Sequence, residues 1–450
     1  MNVKQLFIAV FALGVTNLFA GTLKFECSSN KEDSIYRTGD KIVFTVKLLE
    51  DGQAASDKFI QYRLCHDNKT VKRGKVSAAE ELTVETSLDK PGWVYILVAA
   101  KDGEDEDIKQ PTLYRGKETE RPVKSGIGAM VEPEKLLPVL KEPDDFDAFW
   151  EKVKAELAAV PVKELERVPV QDPQVQVWDV KIACAGGMPV SGYLCMPKDA
   201  KPKSCPAILT FHGAGVVSSS KRISRARQGF IALDVNAHGI ENGKPKEFYD
   251  DLRKNYYFNK ELGPDRPQYY AHWYKTDREK FYFKGMYMRV MRALEYVKSL
   301  PEWDGKHLIV MGTSQGGAQV IAACALDHDV TFARAGVPAL CDLSGCLGGR
   351  CSGWPILYTE KDHEKNSDVV KCVSYFDSAY LAKRIKCPIW ISTGFMDTTC
   401  SPTSVFAAYN NIPDGVEKHM QTDPLAGHLE PPFTDWEKAL KVYLDSFLKK

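Results

Sequence analysis

The sequence lacks the features that mark several common classes of protein. Lysine plus arginine and aspartate plus glutamate each number 60, so no net charge attracts nucleic acid or an acidic membrane surface. It contains no CxxC pair and no cysteine–histidine cluster with zinc-ligand spacing. It also contains no internal repeat and no low-complexity tract. With 44% apolar residues, the chain is expected to form a globular protein with a roughly neutral partner, such as a sugar or another metabolite.

The apolar run near the N-terminus is too short to cross a membrane, since a transmembrane helix needs ~20 apolar residues. Lys4 precedes the run, which spans residues 6–15, and the small residue Ala20 follows it before Gly21. This pattern predicts a secretory signal over residues 1–20, and therefore a secreted or periplasmic protein. No cysteine stands at the cleavage point, which argues against a lipid anchor. The alternative is a buried N-terminal strand or helix.

Twelve cysteines follow that signal, in a compartment where disulfides form. Cys341, Cys346 and Cys351 recur at regular steps around glycine-rich turns. An even count permits pairing without showing it, and buried free thiols fit the same residues. The sequence therefore assigns no disulfide.

The first part of the mature chain shows the period-two alternation of β-strands. Residues 23–27, 42–48 and 93–99 each alternate in this way, and turn signals separate them. Residues 36–40 enter a strand as in many immunoglobulin-like modules. The pattern predicts an immunoglobulin-like β-sandwich over residues 21–126.

A linker and a docking helix are predicted over residues 127–160. Asp145 or a neighbour is suited to cap the helix, and the aromatic pair Phe149 and Trp150 would dock it on the next domain. Strand and helix signals then alternate over residues 161–450, which predicts an α/β catalytic domain with a mostly parallel sheet. The predicted strands are residues 207–211, 230–235, 307–311 and 388–393, and the predicted helices are residues 286–300, 319–326 and 436–448.

The central motif is Gly312-Thr313-Ser314-Gln315-Gly316, which follows one predicted strand and opens the next predicted helix. The pattern G-x-S-x-G alone is weak, but this setting is the one that a nucleophile elbow requires. Such a turn is so tight that larger flanking side chains would clash, which explains a glycine on each side. We therefore predict that Ser314 is the nucleophile.

A serine hydroxyl needs a base to take its proton, and in this type of fold the partners follow in the order serine, acid, histidine. His428 comes after the last predicted strand, from which its ring can reach back over Ser314. Asp397 follows the strand at residues 388–393 and would orient the imidazole. The alternatives are that His428 is an ordinary loop histidine and Asp397 a turn cap, with Asp377 and Asp423 as weaker candidates for the acid.

Acyl transfer also needs donors for the oxyanion that develops on the substrate. The backbone N–H of Gln315, directly after the nucleophile, is the first predicted donor. The second is assigned to Ala214, with Gly213 as the alternative, because both lie in the loop after residues 207–211. His212, in the same loop, fits packing beneath the site better than proton transfer.

Residues 143–450 resemble the acetyl xylan esterase and cephalosporin C deacetylase family of carbohydrate esterases. The segments that carry the resemblance are Asp145-Phe146-Asp147-Ala148-Phe149-Trp150, Phe211-His212-Gly213, Gly312-Thr313-Ser314-Gln315-Gly316-Gly317, and the stretch from Asp397 through Cys400-Ser401-Pro402 to Phe406-Ala407-Ala408-Tyr409-Asn410. The resemblance implies an α/β-hydrolase fold and acetyl-ester hydrolysis without a metal or other cofactor. It also implies that Ser314, Asp397 and His428 are the catalytic residues.

The chain departs from the family pattern at three points near the expected site. Family members usually have Arg-Gly-Gln where this chain has His238-Gly239-Ile240, and a tyrosine where it has Ala214. Their catalytic histidine is followed by glutamate, whereas here Leu429 stands between His428 and Glu430. The N-terminal sandwich is an addition to the basic pattern.

Residues 241–283 hold 12 aromatic residues and leave the end of the sheet where the site is expected. Sugar rings stack on aromatic faces, so Tyr270 and Trp273 are candidate substrate contacts, together with His212 and His238. The alternative is that these rings pack the insertion onto the domain.

The sequence thus predicts a secreted serine esterase that removes acetyl or other small acyl groups from carbohydrate. The expected partner is acetylated carbohydrate, with no nucleic acid or membrane, and a homo-oligomer is left open. The alternatives are another hydrolase of the same fold, such as a serine peptidase, and a catalytically silent carbohydrate-binding protein. A fragment that begins near Glu132 is expected to keep the activity on small esters.

Overall fold

The structure is a computed structural model, and it describes residues 22–114, 117–259, 263–267, 269–360, 367–429 and 435–448. The predicted signal at residues 1–20 lies outside these ranges. None of the helices within them combines the length and the apolar character needed to span a bilayer.

Twenty strands and nine α-helices make up the described fold. The strands are β1 Leu23–Ser29, β2 Ile35–Tyr36, β3 Ile42–Glu50, β4 Gln53–Ala54, β5 Phe59–His66, β6 Lys69–Ser77, β7 Leu82–Thr86, β8 Gly92–Lys101, β9 Lys109–Tyr114, β10 Lys117–Pro122, β11 Lys124–Val131, β12 Glu164–Pro169, β13 Val175–Ile182, β14 Val190–Pro197, β15 Cys205–Phe211, β16 Ile231–Val235, β17 Trp303–Thr313, β18 Phe332–Gly336, β19 Ile389–Gly394 and β20 Lys418–Asp423. The helices are α1 Phe146–Ala158, α2 Ile223–Arg227, α3 Lys246–Leu252, α4 Tyr282–Ser299, α5 Gln315–Leu326, α6 Ser367–Ser374, α7 Ser378–Leu381, α8 Pro402–Asn410 and α9 Trp436–Leu448.

The N-terminal strands form two main sheets around one apolar core. One sheet contains β1, β3, β4 and β7, and the other has the order β2-β11-β8-β5-β6, with β9 and β10 as a separate hairpin. Ile42, Phe44 and Val46 alternate along β3 and are fully buried, because every second side chain of a strand points to the same face. The predicted period-two alternation therefore corresponds to an all-β unit with its own core.

The C-terminal part is built on a nine-stranded mixed sheet with the order β12-β13-β14-β16-β15-β17-β18-β19-β20. The first three neighbouring pairs in this order, from β12 to β16, are antiparallel. The remaining five pairs, from β16 through β15 to β20, are parallel. The parallel strands β15, β16 and β19 are short buried runs because helices cover both faces, whereas β20 at the edge of the sheet is mostly polar. Trp436 of α9 packs on one face together with α2, whereas α1, α4, α5 and α8 pack on the other.

Two local features differ from what the sequence indicates. The change of pattern near Gly126 falls inside β11, so the N-terminal sheet continues to Val131. Asp145 precedes α1 but makes no capping hydrogen bond, because its carboxylate accepts from Tyr375 and Arg278 instead.

All twelve cysteines lie within the described ranges, and each is a free thiol. Cys341 and Cys351 are buried and Cys346 is half-buried. Burial raises the pKa of the Cys351 thiol, which disfavours the reactive thiolate. The regular spacing of these three residues therefore corresponds to buried thiols and not to a disulfide.

Candidate active site

Ser314 stands at the sharp turn between β17 and α5, where a nucleophile elbow was predicted. Its backbone has a φ of 61° and a ψ of −122°, a conformation that a non-glycine residue rarely adopts. A Cβ on Gly312 would lie 2.4 Å from the carbonyl oxygen of Gly316, and one on Gly316 would lie 2.1 Å from that of Phe211. Both positions therefore require glycine, and the turn presents the Ser314 side chain, which is 9% exposed, above the sheet.

Two hydrogen bonds connect Ser314 to His428 and Asp397. The Oγ of Ser314 lies 3.0 Å from Nε2 of His428, and Nδ1 of the same ring lies 2.8 Å from Oδ2 of Asp397. Because the carboxylate only accepts, Nδ1 carries the proton and Nε2 is free to accept the proton of the serine hydroxyl. This is the arrangement that the predicted proton transfer requires.

Asp397 is fully buried in the loop after β19, and its second oxygen is held by the backbone. Oδ1 accepts the N–H groups of Thr399 at 2.8 Å and Cys400 at 2.9 Å. These bonds leave Oδ2 directed at His428, so the carboxylate can hold the imidazole in one tautomer and one orientation.

The weaker candidates for the acid are engaged elsewhere. Asp377 accepts three backbone N–H groups, from Asp342, Leu343 and Ala379. Burial raises the pKa of the Asp377 carboxyl to about 8, with Asp342 as a second cause. Asp423 accepts the N–H of Leu425 in a turn. The structure therefore brings Asp397, and neither alternative, to His428.

The predicted oxyanion donors lie on two sides of Ser314. Gln315 is the first residue of α5, so its N–H points out of the positive end of the helix dipole. Gly213 is packed against the elbow, since a Cβ on it would lie 3.6 Å from the Cβ of Ser314. Within the described ranges, the backbone N–H groups of Gln315 and Ala214 have no acceptor in the protein. Both remain free for a developing oxyanion.

His212 and His238 hold the loop that contains Ala214. His238 also borders a cavity of about 360 Å³, and contact of either histidine with substrate stays a prediction. Nδ1 of His212 lies 2.7 Å from the carbonyl oxygen of Gly213, and Nε2 accepts the N–H of Ala237. Nε2 of His238 lies 3.1 Å from the carbonyl oxygen of Gly215. Burial lowers the pKa of both rings, so both are neutral at pH 7. Two uncharged histidines therefore fix the two ends of residues 213–215.

His238→Phe is expected to lower kcat for a small acetyl ester roughly tenfold, less than the ~10²-fold cost of deleting an oxyanion donor. The substitution removes the donor to the Gly215 carbonyl, so Ala214 would lose its position. His328→Phe is the matched control, since Nε2 of His328 lies 3.2 Å from the carbonyl oxygen of Arg384, a comparable contact beyond the far end of α5 from Ser314. Steady-state kinetics check the result, and equal losses in both variants would refute the role of His238.

Tyr270 and Trp273, the other candidate substrate contacts, are packed in the interior. Tyr270 has no exposed surface, and its hydroxyl donates to the side-chain oxygen of Gln315 at 2.7 Å. Trp273 is 6% exposed and stacks on Tyr257, with ring centroids 5.5 Å apart. Tyr270 therefore corresponds to the packing alternative. Trp273 borders a cavity of about 360 Å³ together with His238, and its contact with substrate stays a prediction.

Cys400 and Trp354 border the nucleophile, although the sequence did not single them out for that position. The Cys400 thiol is fully buried within hydrogen-bonding range of Ser314, and it also contacts the backbone of Trp354. Only the D-x-x-C-x-P spacing after Asp397 could have indicated the thiol. A cavity of about 520 Å³ opens beside His428 and is lined by Thr399, Gly427, His428 and Leu429.

Comparison with known proteins places this geometry in a family. The family described as acetyl xylan esterase matches residues 132–433. Acetyl esterase Axe7A of Xylanibacter ruminicola is 29% identical over 425 residues, which cover 91% of this chain and 90% of that protein. That alignment extends well into the N-terminal sheets, which lie before residue 132.

Two solved structures share the architecture of the C-terminal part. An acetyl xylan esterase from Paenibacillus sp. R4 is 26% identical with a TM-score of 0.58, covering 70% of this chain and 98% of that chain. Acetyl xylan esterase 1 from Thermoanaerobacterium sp. JW/SL YS485 is 23% identical with a TM-score of 0.57, covering 69% of this chain and 96% of that chain. The expected α/β-hydrolase type of fold is confirmed, with a mixed sheet.

Proposed function

The chain belongs to the acetyl xylan esterase family and is a carboxylic ester hydrolase, and from this premise we propose that it removes acetyl groups from carbohydrate through an acyl-enzyme on Ser314. The observation that carries the proposal is the pair of hydrogen bonds from Asp397 through His428 to Ser314. Xylan-derived saccharides are the proposed substrates, as the names of the relatives suggest.

The proposed reaction has two steps that use the same base. Oγ of Ser314 attacks the acetyl carbonyl while Nε2 of His428 takes its proton, and the oxyanion accepts the N–H groups of Gln315 and Ala214. His428 then gives the proton to the departing sugar oxygen. A water molecule attacks the acetyl-serine with His428 again as base, and acetate leaves. Asp397 stabilises the imidazolium in both steps.

The surroundings of Ser314 favour a small acyl group. Cys400 lies against its hydroxyl, and Trp354 lies beside Cys400 and has its ring centroid 6.0 Å from that of Tyr269. An acetyl group adds only one methyl beyond the carbonyl. A longer acyl chain would have to displace the buried Cys400 or the half-buried rings of Trp354 and Tyr269, which costs free energy of packing.

We further propose secretion by the signal at residues 1–20 and an immunoglobulin-like sandwich before the catalytic domain. The sandwich would include all of β11 and so end at Val131, and residues 132–160 would contain the linker and docking helix α1. The core shared by the two N-terminal sheets supports this division. Removal of the signal during secretion can be measured by N-terminal sequencing of the exported protein.

The substrate proposal predicts preferences that can be measured side by side. Acetate should be released from acetylated xylan faster than from acetylated pectin. Aryl acetates should be hydrolysed at least roughly tenfold faster than aryl octanoates, because a pocket that rejects extra methylenes discriminates by such factors. Acetate release and aryl-ester kinetics are the two measurements.

The Ser314→Ala protein is the control in both assays and corrects for spontaneous hydrolysis. A rate that rises with the length of the acyl chain would indicate a lipase-like site and refute the acetyl preference. Hydrolysis of aryl acetates without acetate release from any acetylated carbohydrate would refute the proposed substrate class.

A further inference from the structure

The N-terminal sandwich contacts the loop that carries the proposed catalytic acid. Trp93 of β8 has no exposed surface, and its indole N–H donates to the carbonyl oxygen of Phe395 at 2.7 Å. Phe395 lies two residues before Asp397, in residues 394–397, here called the acid loop. A tryptophan N–H that leaves water needs an acceptor, and this one finds it across the interface.

The same sheet also contacts the segment that leads to the proposed base. The N–H of Gly128 in β11 donates to the carbonyl oxygen of Pro424 at 2.9 Å. Pro424 lies in residues 423–428, here called the base loop, which ends at His428. The sandwich therefore donates one hydrogen bond to a backbone carbonyl oxygen in each of the two loops.

The two loops are joined to each other and behave as one unit. The N–H of Phe395 donates to the carbonyl oxygen of Asp423, and that of Met396 donates to the carbonyl oxygen of Ala426, both at 2.9 Å. A displacement of the acid loop would therefore also displace His428.

At Gly128 the sandwich approaches this unit too closely for any residue but glycine. A Cβ on Gly128 would lie 2.0 Å from the carbonyl oxygen of Phe395. Because Gly128 has no positive φ, the reason for glycine is this close approach and not its backbone conformation. Gly126 is different, since a Cβ there would meet the movable end of the Met396 side chain at 2.3 Å and the carbonyl oxygen of Ile96, inside the sandwich, at 2.4 Å.

An apolar cluster and a half-buried carboxylate complete the interface. Trp93, Tyr95 and Met130 of the sandwich share one buried cluster with Phe395 and Phe406. Asp67, beside β5, accepts the N–H of Cys351 at 3.2 Å and the hydroxyl of Thr403 at 3.3 Å. Thr403 belongs to α8, so Asp67 connects the sandwich to this helix. The helix begins shortly after the turn whose N–H groups bind Oδ1 of Asp397.

We infer that the N-terminal sandwich positions the catalytic acid and base, with Trp93 and Gly128 as positioning residues that act through the acid and base loops. The inference rests on the proposed function of Asp397 and His428. It replaces the expectation that a fragment from Glu132 keeps its activity on small esters, because such a fragment would lack both hydrogen bonds and expose Phe395.

The first test is Trp93→Phe in the full chain, which keeps an aromatic ring and removes the N–H donor. The kcat for an aryl acetate is expected to fall roughly ten- to a hundredfold with KM nearly unchanged, since small misplacements of catalytic groups cost such factors. Tyr36→Phe is the matched control. It removes a buried hydroxyl that donates to Asn30 inside the sandwich, away from the acid loop, and should leave kcat unchanged.

Gly128→Ala is a second, independent test, which remains informative if Trp93→Phe does not fold. Its added methyl would push the carbonyl of Phe395 away, so kcat should again fall by at least roughly tenfold. Gly103→Ala is its control, because a Cβ on Gly103 meets nothing within 4 Å.

A double-mutant cycle separates positioning from general destabilisation. If Trp93 acts through Asp397, Trp93→Phe should lower kcat less than about twofold in an Asp397→Asn background, because groups that act as a unit are not additive. The inference would be overturned if Trp93→Phe lowered kcat by the same factor in the parent and in the Asp397→Asn protein. It would also be overturned if neither Trp93→Phe nor Gly128→Ala changed kcat. A Ser314→Ala protein that stays active would instead refute the proposed function.

Discussion

Ser314→Ala is expected to lower kcat for an aryl acetate by ~10⁴ to 10⁶ while the protein folds normally. The substitution removes the hydroxyl that is proposed to form the acyl-enzyme. It leaves the N–H of residue 314 bonded to the carbonyl oxygen of Gly336, so the elbow keeps its shape. Steady-state kinetics, with circular dichroism to verify the fold, measure the effect.

Ser392→Ala is the control for this experiment. Ser392 is 2% exposed in β19, and its hydroxyl has no hydrogen-bond partner in the described part of the chain. Its loss should leave kcat unchanged. A fluorophosphonate should label the parent and Ser392→Ala but not Ser314→Ala. Activity of Ser314→Ala within tenfold of the parent would rule out Ser314 as the nucleophile.

Asp397→Asn is expected to lower kcat by ~10⁴ with little change in structure. The amide oxygen can still accept the N–H groups of Thr399 and Cys400. The NH₂ group then faces Nδ1 of His428 as a donor, which moves the ring proton to Nε2. A protonated Nε2 cannot take the proton of Ser314, so the base is lost although every side chain stays in place.

Asp377→Asn is the matched control, because Asp377 is equally buried but touches neither His428 nor Ser314. Its two oxygens accept three backbone N–H groups, so an amide NH₂ would face a donor there. The expected result is a lower Tm with kcat within about twofold of the parent. If Asp377→Asn lost activity as severely as Asp397→Asn, the assignment of the acid would be wrong.

The parts of the site that depend on local chain geometry could be predicted from the sequence. A strand, a tight turn with glycine on each side and a helix place a serine above a sheet whatever else the chain does. The order of Ser314, Asp397 and His428 along the chain then limits the choice of acid and base. The strands β15, β16, β17 and β19 were also predictable, because buried parallel strands are short apolar runs. The other five strands of the sheet were not predicted.

The orientation of the aromatic and histidine side chains could not be predicted in the same way. The sequence places Tyr270, Trp273 and His238 near the end of the sheet, but it does not say whether a ring faces solvent or the interior. In the structure these side chains are buried, and Tyr270 and His238 support Gln315 and Gly215. His238 and Trp273 also border a cavity of about 360 Å³, which the sequence did not indicate.

The contact between the sandwich and the acid loop could not be predicted from sequence patterns for a different reason. Trp93 and Phe395 are separated by 302 residues, and nothing near either of them signals the other. Gly128 looks like an ordinary glycine of a strand, and only the neighbouring backbone of the acid loop explains it.

The long separation of Trp93 and Phe395 has a consequence for synthesis of the chain on the ribosome. Domains fold as units, with the N-terminal one first, so the sandwich completes its core while the partner loop is still untranslated. The apolar face around Trp93 and Met130 then stays in contact with water until more than half of the polypeptide has been added. The delay therefore leaves apolar surface exposed on the nascent chain. It has little effect on the stability of the folded protein, because closing so long a loop costs little more entropy than closing a shorter one.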